Sequence, residues 1–442
     1  MVIGGGAAGM SAASAARRLA PGLEVVVCEA GGFAAYGMCG IPYFLGGVVP
    51  RAESLLAYPP GEFSGRRGID LRLNTRVEAI DTRRRQVHIT GEGGTGPLGY
   101  DALVVAAGAD PVRPPVPGLD HPRVFPIRSL DQAIELQRLL RSGAVRRALV
   151  VGAGYIGLET AEALVCAGTE VEVVETLPRV LGTVDEPIAE LARVELERHA
   201  RLRLGARLEA VHPGGNHSRA TLTAVVDVGA DLVVIATGIR PASELLIQAG
   251  ARHLADRSIV VDASMRTSLT DVFAAGDCVA LPHLVLGGPA WVPLGPAANK
   301  TGRVAGTVAA GGTASFGGIV GTAVVKVFDL EVARTGLGLA EARAAGLNAV
   351  ATDMVSRSRA KYYPGSSPLH VRLVHTPDGR LLGGQLAGRE GAAKRIDVLA
   401  TALHAGFTVA DLAALDLSYA PPFAPVYDPV LAAAVKAAQP AA

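Results

Sequence analysis

The feature that most restricts how this chain can fold is a device that it carries twice. VIGGGAAGMSAASAARRL begins at Val2, and VVGAGYIGLETAEALVCAG begins at Val150. Each reads as an apolar strand, a tight glycine turn and an alanine-rich helix. Gly4, Gly6 and Gly9 in the first copy, and Gly152, Gly154 and Gly157 in the second, keep the spacing G-x-G-x-x-G. The first glycine makes the turn, the second lets backbone approach a pyrophosphate, and the third lets the helix pack on the strand. The helix start adds free N–H groups and partial positive charge for phosphates. Each copy then continues into a β-branched run ending in an acid, EVVVCE at Glu29 and EVEVVE at Glu175, placed to take ribose hydroxyls. A lone motif of this kind often means only tight packing. Two complete copies predict an α/β chain with two Rossmann-like dinucleotide-binding units.

A second repeat supports the first. DALVVAAGADP (101–111) and DLVVIATGIRP (231–241) are buried-strand patterns ending in small residues, Gly and Pro, and each is expected to close its own unit. The Pro-rich stretch 109–124 reads as a crossover between the units. DVFAAGD (271–277) reads as a short strand that sets Asp277 at a helix start, a second grip on the first dinucleotide.

Composition narrows the class. With 49% hydrophobic and 19% charged residues the chain is globular, and a net charge of +1 offers no surface for nucleic acid. The run Arg83–Arg84–Arg85 reads as a solvated hairpin edge. No uncharged apolar run is long enough to span a membrane, so no membrane partner is expected. Only Met1, Val2 and Ile3 precede the first glycine, so the native chain is expected to begin a few residues earlier. No signal peptide is seen, and the four scattered cysteines, with no metal-ligand spacing, suit a reducing cytoplasm and predict no metal.

One cysteine stands apart. In AAYGMCGIPYF (34–44), Gly37 and Gly40 open the backbone around Cys39, and Pro42 suits the first turn of a helix. A thiol at a helix start is expected to have its thiolate stabilised. Cys28, Cys166 and Cys278 read as packing residues.

The order GGGAAG, cysteine segment, AAGADP, GAGYIG, ATGIRP, AAGD and C-terminal block resembles the pyridine nucleotide-disulfide oxidoreductase family over nearly the whole chain. The resemblance implies an FAD-binding domain at 1–112 and 240–315, an NAD(P)H-binding domain at 113–239, and an α+β dimerisation domain at 316–442 that makes a homodimer. FAD would be held by Gly4, Gly6, Gly9, Glu29, Ala107, Gly108 and Asp277. The nicotinamide nucleotide would be held by Gly152, Gly154, Gly157, Glu175 and Gly238. Tyr155 is implied to cover the flavin until nicotinamide arrives, with Glu159 nearby. Glu175 favours NADH by repelling a 2′-phosphate; Arg179, four residues on, leaves NADPH open.

Positions four before and after Cys39 hold Ala35 and Tyr43, so the dithiol of glutathione reductase-like members is missing. The chain is similar instead to the single-cysteine branch, which includes coenzyme A-disulfide reductases, CoA-persulfide and polysulfide reductases, and NADH oxidases and peroxidases. Oxidases and peroxidases carry a histidine where this chain has Ala7. KYYPGSSPLHVRL and SYAPPFAPVYDP resemble the CoA branch, implying Tyr362 (or Tyr363) and Tyr419 beside the substrate sulfur, the second from the partner subunit. Ser11, Arg18, Arg67, Asn299 and Tyr427 match CoA contacts. Ala35–Tyr36 replaces the Ser-Phe of the CoA-disulfide reductases, which keeps a persulfide or polysulfide substrate in play. The activity implied is an FAD-dependent NAD(P)H:CoA-disulfide, persulfide or polysulfide reductase, with Cys39 forming a mixed disulfide with CoA. The alternatives are an oxidase cycling Cys39 through a sulfenic acid, a reductase for a protein electron acceptor, and a non-catalytic nucleotide-responsive protein.

Overall fold

A computed structural model describes residues 1–59, 61–214, 217–223 and 226–439. The first glycine motif joins strand β1 (Val2–Ile3) to helix α1 (Ala7–Leu19), which returns to β2 (Val26–Cys28) and then β3 (Asp70–Arg72). These strands lie parallel in a five-stranded sheet whose order continues from β1 to Leu103–Val105 and Val272–Ala274. Strand order therefore reverses at β1, and the glycine turn sits at the carboxyl edge of that switch point, where open α/β sheets bind ligands. With DVFAAGD the chain returns to this first sheet at Val272, having left it at Val105. Asp277 itself lies within a single 3-10 turn (Gly276–Cys278) that runs on into a strand (Val279–His283), rather than at the start of a helix.

The second motif repeats the construction. Helix α2 (Ile41–Leu45) lies behind Cys39 and α3 (Leu130–Arg141) follows the crossover; then Arg147–Val151 leads through Gly152 into α4 (Tyr155–Cys166), Glu170–Glu175 and α5 (Glu186–Glu197). The parallel order is Arg201–Leu204, Glu170–Glu175, Arg147–Val151, Leu232–Ile235, Val124–Pro126. The leucines of its layers, Leu149, Leu158, Leu164 and Leu232, are fully buried; each such side chain removed from water contributes about 1.5–3 kcal/mol.

Each of the repeated segments joins the sheet of its own unit, through Leu103–Val105 and Leu232–Ile235, and their GADP and GIRP tails then do something further. Ala109–Pro111 pairs antiparallel with Ile239–Pro241, so the two tails form one ribbon that carries the chain out of the first unit and back. Gly108 (φ +77°) and Gly238 (φ +105°) take the left-handed turns into that ribbon. The arginine run sits in a hairpin turn between Thr75–Asp81 and Gln86–Gly91, with Asp81 accepting from the amides of Arg83 and Arg84.

The C-terminal block is a five-stranded antiparallel sheet (Ala323–Val327, Leu330–Gly336, Leu381–Gly388, Pro368–His375, Val350–Arg357) with helix Ala392–Ala405 packed on it. Among the described residues, no helix is long and apolar enough to cross a membrane.

Candidate active site

The two glycine cradles are built alike. A Cβ on Gly4 would lie 2.3 Å from the carbonyl oxygen of Ala106, and one on Gly152 2.3 Å from that of Ala236. Gly9 and Gly157 sit against the carbonyls of Gly4 and Gly152, where a Cβ would come within 1.8 and 1.9 Å. At Gly6 and Gly154 a Cβ would meet nothing within 4 Å. Backbone thus fills the first and third positions and leaves open space before each helix start, the shape a pyrophosphate requires. Glu29 accepts from the amides of Gly5 (2.6 Å) and Gly31 (2.7 Å); Glu175 accepts from those of Ala153 (2.7 Å) and Leu177 (2.9 Å). Each carboxylate fixes its own loop and keeps acceptor capacity, since an ionised carboxylate offers about four lone-pair sites. The residues present fit two dinucleotides.

Between the cradles stands Cys39, in a single 3-10 turn (Met38–Gly40) ahead of α2, which has Pro42 in its first turn. Helix α2 leans on α4, where a Cβ on Gly46 would lie 3.2 Å from the Cα of Ala163, and on α3, where Gln137 donates to the carbonyl of Phe44 at 2.9 Å. Cys39 is solvent-exposed, yet its thiol pKa is raised, first by partial burial and then by the carboxylates of Glu159 and Asp277. This corrects the expectation of a stabilised thiolate. A five-residue helix behind a 3-10 turn supplies little dipole, and two acids outweigh it. Those acids come from the second and the first unit respectively, so the sulfur sits where both sites converge.

The acids are themselves perturbed. Burial, with Glu162 adding to it, lifts Glu159 to about 7. Burial also raises Asp277, opposed by the Arg128 guanidinium. Above pH 7 an ionised Glu159 therefore opposes a Cys39 thiolate. Glu159→Gln is expected to speed alkylation of Cys39 by iodoacetamide at pH 8 by roughly three- to tenfold, and to erase an inflection near pH 7. Rates that follow the parent's across pH 6–9, read on the Cys39 peptide, would show that the carboxylate does not govern the thiol.

Four of the five residues matched to CoA contacts lie on or beside α1. Ser11 donates to Asn299 Oδ1 at 2.9 Å across 288 positions. Arg18, on the same helix, is exposed and donates to the carbonyl of Ser14. Arg17 packs where a Cβ on Gly68 would be 2.7 Å from its Nη2, which brings the end of α1 beside Arg67. Arg67 stacks 3.9 Å over the Tyr58 ring and pairs with Glu62 at 3.4 Å. Tyr427 is 73% exposed and Tyr362 75%, with Phe423 at 77%, an apolar surface too open to be core.

Tyr362 hydrogen-bonds Tyr419 within one chain, and that bond raises the Tyr419 phenol. The reason is Arg395, which donates to the carbonyls of Ser358 (3.0 Å) and Phe423 (2.9 Å) and so ties both loops together. Tyr362 and Tyr419 therefore lie side by side within one chain. Tyr363 instead faces the Arg359 guanidinium at 5.8 Å. Cys28 and Cys278 are buried as expected, but Cys166 is exposed, because the last turn of α4 faces a small cleft beside Tyr43 and Lys326.

Residues 1–302 match the pyridine nucleotide-disulphide oxidoreductase family, and residues 322–429 match its dimerisation domain. The chain belongs to this family. As a pyridine nucleotide-disulphide oxidoreductase it is an enzyme that uses FAD and NAD(P)H. A CoA-dependent NAD(P)H sulfur oxidoreductase of Pyrococcus abyssi is 39% identical over 433 residues, 98% of this chain and 96% of that protein. An NADH oxidase of Methanocaldococcus jannaschii is 33% identical over 437 residues, 98% of this chain and 97% of that one. The solved structure of an NAD-dependent persulfide reductase from A. fulgidus matches with a TM-score of 0.95 at 39% identity, over 99% of this chain and 82% of that chain.

Sequence reasoning missed Arg128. Its Nη1 lies 3.3 Å from the Met38 sulfur, and its Nη2 would be 2.9 Å from a Cβ on Gly108. This oxidoreductase therefore carries a cation beside Cys39's own turn. The only trace in the sequence is its place just before the capping box of α3, Ser129 with Gln132, which reads as a helix start and nothing more.

Proposed function

We propose that this oxidoreductase reduces the sulfur–sulfur bond of a coenzyme A disulfide, persulfide or polysulfide with NAD(P)H, with Cys39 as its one redox thiol. What supports this reading most is the exposed Cys39 held between Glu159 of the second cradle and Asp277 near the first. The buried Cys28 and Cys278 are out of reach of any substrate. The bound flavin supplies a path for an electron pair from nicotinamide to sulfur. Cys39 holds CoA as a mixed disulfide; two electrons and one proton cleave that bond, releasing the CoA thiol and leaving the Cys39 thiolate. The thiolate attacks the next CoA disulfide, one S–S bond forms as another breaks, and the second CoA leaves as its thiolate. Arg128 offsets the negative charge of Asp277, and Glu159, half-ionised near pH 7, holds a proton beside the sulfur.

Ser11, Arg18, Arg67, Asn299 and Tyr427 are read as CoA contacts, with Tyr58 added as a ring against which an adenine or Arg67 can stack. The Tyr362–Tyr419 pair donates to a leaving thiolate. Their exposure, with that of Phe423, fits a surface covered by a second copy of the chain, so the partner's pair completes the site in a homodimer. The domains follow 1–112 with 240–315, 113–239, and 316–442. Glu175 favours NADH. The free cysteines suit a cytoplasmic setting. The 33% identity to an NADH oxidase favours a second reading, sulfenic acid chemistry at Cys39. Against it, Ala7 stands in the first glycine loop as an exposed methyl with no proton to give. The experiment that separates them is intact mass after exposure to CoA disulfide, where one CoA per chain supports the proposal.

A further inference from the structure

Tyr155 is the first residue of α4, one turn before Glu159. Side chains four apart share a helix face, and Glu159 faces Cys39. Half-buried Tyr155 therefore lies at the mouth of the second cradle, on the face of α4 that Glu159 turns to the sulfur. Its phenol oxygen accepts from Thr183 Oγ1 at 3.2 Å. The carbonyl of that same Thr183 accepts from the Arg334 guanidinium, which belongs to the C-terminal sheet. Arg334, with its side chain 11% exposed, is held in turn by Glu341 (2.6 and 3.1 Å) and the carbonyl of Gly336 (2.9 Å). Two residues on, Asp185 is pinned to the same sheet by Arg372 (2.8 Å) and Gln385 (2.8 Å), and to the helix start after it by the amide of Leu339 (3.1 Å). The short segment 183–185 is thus fixed from outside its own unit.

We propose that Thr183 and Arg334 form a latch that holds Tyr155 across the nicotinamide position, so that the dimerisation domain sets how readily the nucleotide's reactive end reaches the flavin. Thr183 and Arg334 are positioning residues, acting through Tyr155. Nucleotide binding must break the Thr183–Tyr155 bond, and the closed population lowers the apparent affinity by the fraction of molecules that are latched. This rests on Tyr155 occupying the nicotinamide position, and is independent of which sulfur substrate is used.

The test is calorimetric titration of the FAD-loaded protein with NAD⁺, with no sulfur substrate present. Thr183 is exposed, so Thr183→Val keeps shape and fold while removing the hydroxyl. It is expected to lower the NAD⁺ dissociation constant about two- to tenfold, the range that one neutral hydrogen bond spans. Tyr155→Phe should do the same, the double variant should gain no more than either alone, and Thr183→Ser should match the parent. Arg334→Met should shift affinity in the same direction; should it fail to fold, the Thr183 and Tyr155 variants still decide the matter. An unchanged constant in Thr183→Val, or additive gains in the double variant, would overturn the latch. Tyr155→Ala separates the two failures. Tighter binding there, with Thr183→Val unchanged, removes the latch alone; no change in Tyr155→Ala removes the placement of Tyr155 as well.

Discussion

Cys39→Ser is expected to keep its FAD and to lose turnover of CoA disulfide by a thousandfold or more, a scale typical of deleting a catalytic nucleophile. The two halves of this result come from different parts of the molecule. FAD retention depends on the first cradle, where Glu29 and the glycine turn are built from β1, α1 and β2 and make no use of the thiol. Loss of turnover follows because a hydroxyl is neither a competent attacker of disulfides nor a holder of CoA. Of the three remaining cysteines only Cys166 is exposed, and it lines a cleft beside Tyr43 on the far turn of α4. The measurement is flavin absorbance together with NADH consumption in the presence of CoA disulfide. Retained turnover would move the chemistry off Cys39.

The second large effect is expected at Gly9. Gly9→Ala should abolish FAD binding, leaving a colourless protein whose second cradle still takes NAD⁺. A Cβ there would stand 1.8 Å from the Gly4 carbonyl oxygen, 2.9 Å from its carbon and 3.3 Å from Val2 Cγ1. None of these is the far end of a flexible side chain. To make room, α1 would have to lift from β1, but α1 is also clamped from behind, where Gly302 and Gly306 of helix Gly295–Ala309 would meet the carbonyls of Ala8 and Ala12 at 2.1 and 2.0 Å. The glycine turn must then deform, and with it the amides that face the pyrophosphate. Flavin content after purification is the readout; a fully yellow Gly9→Ala protein would show that the cradle tolerates what its geometry forbids.

The cradle behind the Gly9 prediction was legible in the sequence itself, whereas the redox role of Cys39 came through family likeness. Glycine spacing and strand-ending acids are local patterns, and the contacts they make, Gly9 on Gly4 or Glu29 on Gly5, lie within one strand–turn–helix. Ser11 and Asn299 were matched to one ligand only through family likeness, and their hydrogen bond was not legible, since nothing local joins residues on two distant helices. What the sequence hid is of three kinds. The ribbon of Ala109–Pro111 with Ile239–Pro241 is a pairing across the whole second unit, and each strand alone looks like a loop. The raised Cys39 thiol depends on Glu159 and Asp277 arriving from separate units, so a reading confined to the cysteine's own turn saw only the helix start. Arg334 and Arg128 are ordinary strand and loop arginines until the fold sets one against Thr183 and the other against Met38.

The claim beneath all of this is that one protein thiol suffices because coenzyme A serves as its exchange partner. Purified protein incubated with CoA disulfide, then denatured without reductant, should show by intact mass a single CoA adduct that dithiothreitol removes, and peptide mapping should place it on Cys39. An unmodified chain, or an adduct on Cys166 with Cys39 free, would contradict it.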